Sequence, residues 1–348
     1  EKITLPNERV SAQSAGTAIP DPSAGDDSAL PCPCRRRFCV VCFVGGNRPR
    51  GGALMFELIQ VGEHSYYLQS PVKIGVYTPD HQNAYLIDSG TDRDAGRKTR
   101  QALDAVGWKV AGILNTHSNA DHIGGNAYWQ GLTGCKVFTS GVEAACTQYP
   151  ILEPSFLYGG FPCLDLRHQF LLAQPSAPVP LTDPDFPAEI QAIQLPGHYF
   201  GMVGYRTPDD VVYLADCLSS AATLDKYGVP FLYDVEAYLA TLNAVAEMPA
   251  KCFVPSHAEA TANIRPLALY NHTKTMEVAT FLLECCQTPM GFEDVLQAVF
   301  RRYSLAMNFE QYALVGSTIR SYLAWHKDAG RLAARFTDGR LLWQTVTA

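Results

Sequence analysis

The chain has no apolar run approaching the roughly 18 residues needed to cross a bilayer, which points away from an integral membrane protein. It has no excess of positive charge. Lysine and arginine number 27 against 34 acidic residues, and the net charge of −7 gives no bulk attraction to nucleic acid or to an anionic membrane surface. It also has no disulfide framework. The eleven cysteines are an odd number, and Cys135, Cys146, Cys163, Cys217, Cys252, Cys285 and Cys286 are scattered without framework spacing, which favours a reduced, cytoplasmic protein. Neither an internal repeat nor a coiled-coil heptad is present. What is present is the profile of an ordinary globular protein. Its 348 residues, 47% hydrophobic and 18% charged, suffice for one large domain with an appendage or for two domains.

Residues 1–54 differ from the rest. They are rich in Pro, Gly, Ser and Ala, lack a hydrophobic period, and end just before Met55, the first methionine. We expect a disordered extension outside the fold, or sequence upstream of the natural start. Cys32, Cys34, Cys39 and Cys42 lie in this segment, but their spacing is not that of a zinc knuckle and no second pair follows. The apolar run Phe38–Val44 after Arg35–Arg37 is too short and too badly placed for a signal peptide.

From Met55 onward, short strands are expected at Phe56–Val61, His64–Gln69, Lys73–Tyr77 and Asn83–Asp88. An amphipathic helix follows at Asp94–Val106, then a buried strand at Val110–Asn115. Strand, helix, strand in this order implies an α/β sandwich. Residues 149–187, with Pro150, Pro154, Pro162, Pro175, Pro178, Pro180, Pro184 and Pro187, read as a long loop or cap. Strands are expected again at Glu189–Leu195, Met202–Arg206, Val211–Ala215 and Lys251–Pro255, with a helix at Val235–Ala246. Phe292–Tyr303 and Phe309–Ala329 have helical spacing, and Thr337-Asp338-Gly339 joins a hairpin of Arg331–Phe336 and Arg340–Val346. Helix, helix, hairpin is the order of a winged-helix unit, so we divide the chain into a catalytic domain at 55–265 and a C-terminal unit at 266–348.

The most informative stretch is Thr116-His117-Ser118-Asn119-Ala120-Asp121-His122-Ile123-Gly124-Gly125-Asn126. It leaves the expected buried strand directly, and loops at strand ends are where α/β proteins place function. Two imidazoles and a carboxylate within six residues are a donor set for a zinc-type divalent ion. Gly124-Gly125 is expected to let the backbone turn tightly and open a helix.

This stretch resembles the His-x-His-x-Asp-His signature of the metallo-β-lactamase superfamily. Pro196-Gly197-His198, Leu214-Ala215-Asp216-Cys217 and Pro255-Ser256-His257 are similar to the family's third, fourth and fifth motifs, in order and each at an expected strand end. The resemblance covers about residues 56–262 and implies a four-layer αββα sandwich that carries out metal-assisted hydrolysis. Carried over by position, it implies that His117 and His198 bind a first ion, that Asp121, His122 and His257 bind a second, and that Asp216 bridges them. A hydroxide between the ions would be the nucleophile, with Asp121 orienting it or taking its proton. The ions implied are one or two Zn2+, with Mn2+ or Fe2+ as substitutes.

Asn119 stands where the signature has its second histidine. An amide oxygen is a poorer zinc ligand than imidazole, so the first site is expected to be weaker, and a one-ion enzyme using Asp121, His122 and His257 is the alternative. Asn119 also speaks against the iron-containing oxidoreductase branch. Cys217 is an alternative ligand, or a group behind the ligands, because one subclass of β-lactamases uses a cysteine in the fourth motif; Asp216 is the preferred ligand. His64, His81, His168, His272 and His326 are expected to be ordinary surface or core residues. Phe156 and Tyr158 are candidates for a substrate pocket wall.

The function this supports is zinc-dependent hydrolysis of a small-molecule carbonyl substrate: a β-lactam, a lactone or a thioester. A phosphodiesterase of the same fold and a non-catalytic protein with a vestigial site are the alternatives. The C-terminal unit is only mildly basic and is expected to pack on the catalytic domain or to form a homodimer rather than to bind nucleic acid.

Overall fold

Side chains alternate across each strand, and this alternation dictates the layers. The structure, a computed structural model, describes residues 56–346. The expected extension at 1–54, with Cys32, Cys34, Cys39 and Cys42, lies outside the described residues.

The first half of the chain forms β1 (Glu57–Gln60), β2 (Ser65–Gln69), β3 (Ile74–Tyr77), β4 (Asn83–Ile87), α1 (Arg93–Ala105), β5 (Lys109–Leu114), α2 (Ala120–Ile123), α3 (Asn126–Thr133), β6 (Lys136–Thr139), α4 (Gly141–Gln148), α5 (Leu152–Tyr158) and β7 (Pro178–Pro180). Its seven strands make one sheet in sequence order, antiparallel from β1 to β4 and parallel from β4 to β7. The second sheet, in the order β11-β10-β9-β8, comes from β8 (Gln191–Gln194), β9 (Val203–Arg206), β10 (Val211–Ala215) and β11 (Cys252–Pro255), with α6 (Ala221–Tyr227) and α7 (Val235–Ala246) between the last two. The chain ends in α8 (Arg265–Cys285), β12 (Met290–Gly291), α9 (Phe292–Arg302), α10 (Phe309–Asp328), β13 (Leu332–Thr337) and β14 (Arg340–Thr345), with these three strands forming a small antiparallel sheet in which β14 is central.

On β10, Val211 and Tyr213 face the first sheet and pack with Tyr67, Tyr77, Ile87, Leu114 and Phe138. Val212 and Leu214 point the other way, into a core shared with Leu242 of α7, Leu282 of α8, Val299 of α9 and Ile319 of α10. On the outer face of the first sheet, Ile74, Val76, Leu86 and Ile113 meet Leu103 of α1 and Trp129 of α3. The result is a four-layer αββα sandwich, as the alternation requires.

The proline-rich stretch is more regular than its composition suggests. Pro154 sits in the first turn of α5, where the missing N–H would have no intrahelical partner. Pro178 and Pro180 belong to β7, an edge strand that pairs only with β6, so their missing donors break no second ladder. The long helix α8 shows little hydrophobic period, because its buried face includes Asn271, Thr275 and Ala268 beside Val278 and Leu282.

Gly124-Gly125 does open a helix, with Gly125 the N-cap of α3, but not for reasons of backbone conformation. Both residues have ordinary right-handed helical backbone. What requires glycine is close approach: a Cβ on Gly124 would collide with the Thr91 carbonyl, and one on Gly125 with the Ser89 carbonyl. The ligand loop is thereby pressed onto the turn after β4, where Ser89 N donates to His122 O at 2.8 Å. We predict that Gly124→Ala destabilises the fold by at least about 2 kcal/mol, through overpacking against backbone that cannot move aside. Urea unfolding measures this, and a change below about 0.5 kcal/mol would refute the close-approach argument.

Candidate metal centre

The candidate ligands follow the ends of β5, β8, β10 and β11; Asp121 and His122 lie in the short helix α2 and the others on loops. A hydrogen bond from Val203 N to Thr116 O, 2.9 Å, ties the second sheet to the ligand loop of the first. At the end of β10, Ala215 adopts a left-handed backbone with φ 51°, which is unfavourable for a residue with a Cβ and turns Asp216 into the junction. The Ala215 carbonyl accepts from Ser256 N at 3.0 Å, which fixes that turn against the His257 loop.

Asp216 is the hub. Its Oδ1 lies 3.2 Å from His122 Nε2, and its Oδ2 lies 3.2 Å from His257 Nε2 and 3.8 Å from His198 Nε2. Asp121 Oδ2 is 3.8 Å from Nε2 of both His122 and His257. Among the described residues, two groups bring ligand atoms within 4.8 Å of one another: His117, His122 and Asp216, and Asp121, His122 and His257. His198 stands edge-on to His117 at 5.2 Å between ring centroids and completes the first side.

Three of the imidazoles, His117, His122 and His198, are aimed by an acceptor or hydroxyl behind them. Asp88 Oδ2 lies 2.7 Å from His122 Nδ1 and accepts from the Thr116 hydroxyl at 2.7 Å; that hydroxyl in turn lies 2.9 Å from His117 Nδ1. His198 Nδ1 donates to the Phe231 carbonyl at 3.1 Å. With the N–H on Nδ1, each Nε2 presents a lone pair to the centre, the arrangement that metal-ligating histidines need. His117 Nε2, His122 Nε2 and Asp216 Oδ1 are buried and make no hydrogen bond. Orphaned buried polar atoms of this kind are costly unless something unites them, and this donor set fits a divalent cation.

The electrostatics agree. Burial, reinforced by the His122 charge, holds His117 well below the usual histidine range, and burial also lowers His198. Burial would lower His122 too, but Asp216, Asp121 and Asp88 outweigh it and push the imidazole well above its usual value. Burial would raise Asp216, yet His257 and His122 hold it well below the carboxylate range. The carboxylates around His122 thus favour positive charge at this point, as a divalent cation would supply.

Two buried glutamates brace the ligand loop, and the sequence did not reveal them. Glu143 of α4 accepts from Ser118 N at 2.9 Å, from the Ser118 hydroxyl at 2.5 Å and from Gly201 N at 2.6 Å. Glu153 of α5 accepts from Asn119 Nδ2 at 2.7 Å and from Ala120 N at 3.1 Å. Burial raises both carboxyls. Nothing in their local spacing separates them from solvent-facing helix glutamates.

The remaining candidates sit apart from the ligand groups. Cys217 is fully buried in the hydrophobic core around Leu214, Leu218 and Tyr238, where burial pushes its thiol up, and it belongs to neither ligand group. Phe156 packs edge-on to Phe200 at 4.8 Å and to Tyr233 at 5.6 Å, while Tyr158 lies 5.9 Å from Phe309. Both line an open groove of 710 Å³ with Tyr233, Arg320 and Trp325. None of the candidate ligands lines this groove; Tyr233 of its wall donates its backbone N–H to the His198 carbonyl, N to O 3.2 Å. His64, His81, His168, His272 and His326 are outside both ligand groups.

Comparison with known proteins gives the same picture. The family model described as the metallo-beta-lactamase superfamily matches residues 69–257, more than half of the chain and all of the candidate ligands. A hydroxyacylglutathione hydrolase from Methylococcus capsulatus is 28% identical over 168 residues, 47% of this chain and 55% of that protein. A probable metallo-hydrolase, YybB, from Bacillus subtilis is 39% identical over 80 residues, 21% of this chain and 36% of that protein. The chain thus spans about half the length, or less, of these curated relatives. A metallo-beta-lactamase family protein from Thermus thermophilus superposes with a TM-score of 0.63 at 18% identity, covering 79% of this chain and 94% of that one. A beta-lactamase domain protein from Burkholderia ambifaria does so with the same score and identity, covering 86% and 96%. At such identity these two structures speak to the fold.

The acceptors behind the imidazoles can be tested directly. Asp88→Ala removes the acceptor behind His122 and, through Thr116, disturbs His117; metal affinity should fall roughly 10–100-fold, measured by competition with a chromogenic chelator. Unchanged affinity would mean that Asp88 does not aim the ligands. Cys217→Ser should leave the number of bound ions per chain unchanged in elemental analysis, whereas loss of one ion would make Cys217 a ligand.

Proposed function

This chain belongs to the metallo-β-lactamase superfamily, and from that membership we propose that it is a hydrolase in which His117, Asn119, Asp121, His122, His198, Asp216 and His257 hold one or two zinc ions. The observation that carries the reading is the convergence of His117 Nε2, His122 Nε2 and Asp216 Oδ1, all buried and without hydrogen bonds. When bound, such ions make water acidic enough to attack near neutral pH and polarise the oxygen of the group attacked.

The protein's own residues supply the rest. Asp88, Thr116 and the Phe231 carbonyl hold Nε2 of His122, His117 and His198 toward the centre. Asp121, whose Oδ2 lies 3.8 Å from His257 Nε2, accepts the proton of the attacking water at its carboxylate. The water oxygen bonds to the acyl carbon, the bond to the leaving group breaks, and the leaving atom takes up the proton. Asp216, buried between His122 and His257, keeps the ligand set together.

The substrate class we favour is a small activated acyl compound: a thioester, a lactone or a β-lactam. The thioester is supported by two relatives named hydroxyacylglutathione hydrolase, a name that denotes cleavage of an acyl–glutathione thioester. The net charge of −7 favours a small substrate over a polyanionic nucleic acid.

The test pairs metal content, on protein purified without added metal, with hydrolysis of a thioester, a lactone and a β-lactam. One or two ions with turnover of any of them is expected. Asp121→Ala should abolish that turnover with an unchanged circular dichroism spectrum. Retained turnover would remove Asp121 from the chemistry. A protein that takes up no ion and stays inactive with zinc or manganese would overturn the hydrolase reading.

A further inference from the structure

Asn119 replaces an imidazole with an amide, and the structure shows how that amide is held. Its side chain is nearly buried, and its Nδ2 donates to Glu153 Oε1 at 2.7 Å, so its Oδ1 faces the opposite way, 3.2 Å from His198 Nε2. The His198 N–H is already committed: Nδ1 donates to the Phe231 carbonyl at 3.1 Å, an atom that can only accept. His198 Nε2 and the amide oxygen thus lie within hydrogen-bonding distance of each other, both turned toward the centre. With Asp216 Oδ2 3.8 Å from the same nitrogen, the amide oxygen stands among the donor atoms that would hold the first ion.

We propose that Glu153 is a positioning residue that locks Asn119 as an amide-oxygen ligand of the first ion; this rests on the metal-dependent reading above. Glu153 has the anchorage the role requires. It is buried on α5, and its second oxygen accepts from Ala120 N at 3.1 Å, so the carboxylate grips both the ligand side chain and the ligand backbone. A carboxylate behind the amide N–H draws electron density onto Oδ1 and strengthens it as a donor, as Asp88 does for His122. The amide cannot rotate to present its nitrogen without breaking the bond to Glu153.

The consequence is a change in ion preference. The first set becomes His117, His198, the Asn119 oxygen and Asp216, two nitrogens and two oxygens. The second set, His122, His257, Asp121 and Asp216, has the same composition. Exchanging imidazole for oxygen suits harder cations, so the first site should favour zinc over manganese by a smaller margin than an imidazole-completed site would.

Calorimetric titration of the metal-free full chain with Zn2+, and separately with Mn2+, tests this in the wild type, Glu153→Ala, Glu153→Leu, Asn119→His and the double variant Asn119→Asp/Glu153→Gln. Glu153→Ala should weaken one of the two ions roughly 10–100-fold and leave the other unchanged. In the double variant the hydrogen bond can run in reverse, from the glutamine amide to the aspartate, and the weakened ion should be restored. Asn119→His should raise zinc affinity more than manganese affinity, also in the Glu153→Ala background. Wild-type affinities for both ions in a folded Glu153→Ala would overturn the inference and leave the hydrolase reading standing. So would a folded double variant as weak as Glu153→Ala. Should Glu153→Ala fail to melt cooperatively, Glu153→Leu, which keeps most of the volume and cannot accept from the Asn119 amide, decides by the same criterion. A wild type that binds no ion would overturn the hydrolase reading itself.

Discussion

Asp216 is a carboxylate buried at the junction of two sheets, and a buried charge is tolerated only where opposite charge and hydrogen-bonding groups surround it. Its two oxygens reach His122 and His257 at 3.2 Å each, with His198 at 3.8 Å. Asp88 and Asp121 add two more carboxylates against His122. The shape of the loops around this point follows from the need to gather positive charge there. The left-handed turn at Ala215 delivers Asp216, and the glycine pair after His122 presses the ligand loop against the turn after β4. Such strain and crowding persist only where the surrounding structure over-determines them.

The sandwich supplies that over-determination. Its inner core of Tyr67, Tyr205, Tyr213 and their neighbours fixes the distance between the sheets, and so the distance between the His117–His122 loop and the Asp216 and His257 loops. Tyr205 reaches across the core to donate to the Asn115 carbonyl at 2.8 Å, immediately before the ligand loop. On the far side of that loop, Glu143 and Glu153 do for the backbone at Ser118 and Ala120 what Asp88 does for the imidazoles. The centre is thus wrapped in acceptors, each holding a donor so that the opposite end of the ligand is left bare.

Some of this was legible locally. The strand ends, the donor types at 117, 121, 122, 198, 216 and 257, and the odd amide at 119 all stand in the sequence, and the alternation along β10 states which residues face which layer. In the proline-rich stretch the composition masks α5, although Pro154 lies where a helix tolerates it. The helix α8 was hidden by polar residues on its buried face, such as Asn271, which spends its amide on Ser219 and Leu267 carbonyls. For Gly124-Gly125, the sequence shows that glycine is needed without showing whether conformation or proximity needs it.

By itself, the sequence determined the inventory: which side chains can donate to an ion, and that each follows a strand. Donor chemistry belongs to the residue, and strand ends follow from the local hydrophobic period. Only the tertiary structure decided direction. Which nitrogen of His122 and His198 faces the centre is set by Asp88 and Phe231, 34 and 33 residues away, and which end of Asn119 faces His198 is set by Glu153, also 34 residues away. One turn sends Asp216 into the junction and the adjacent Cys217 into the core. A hydrogen bond is satisfied by whatever acceptor lies in space, and no local pattern records that distance.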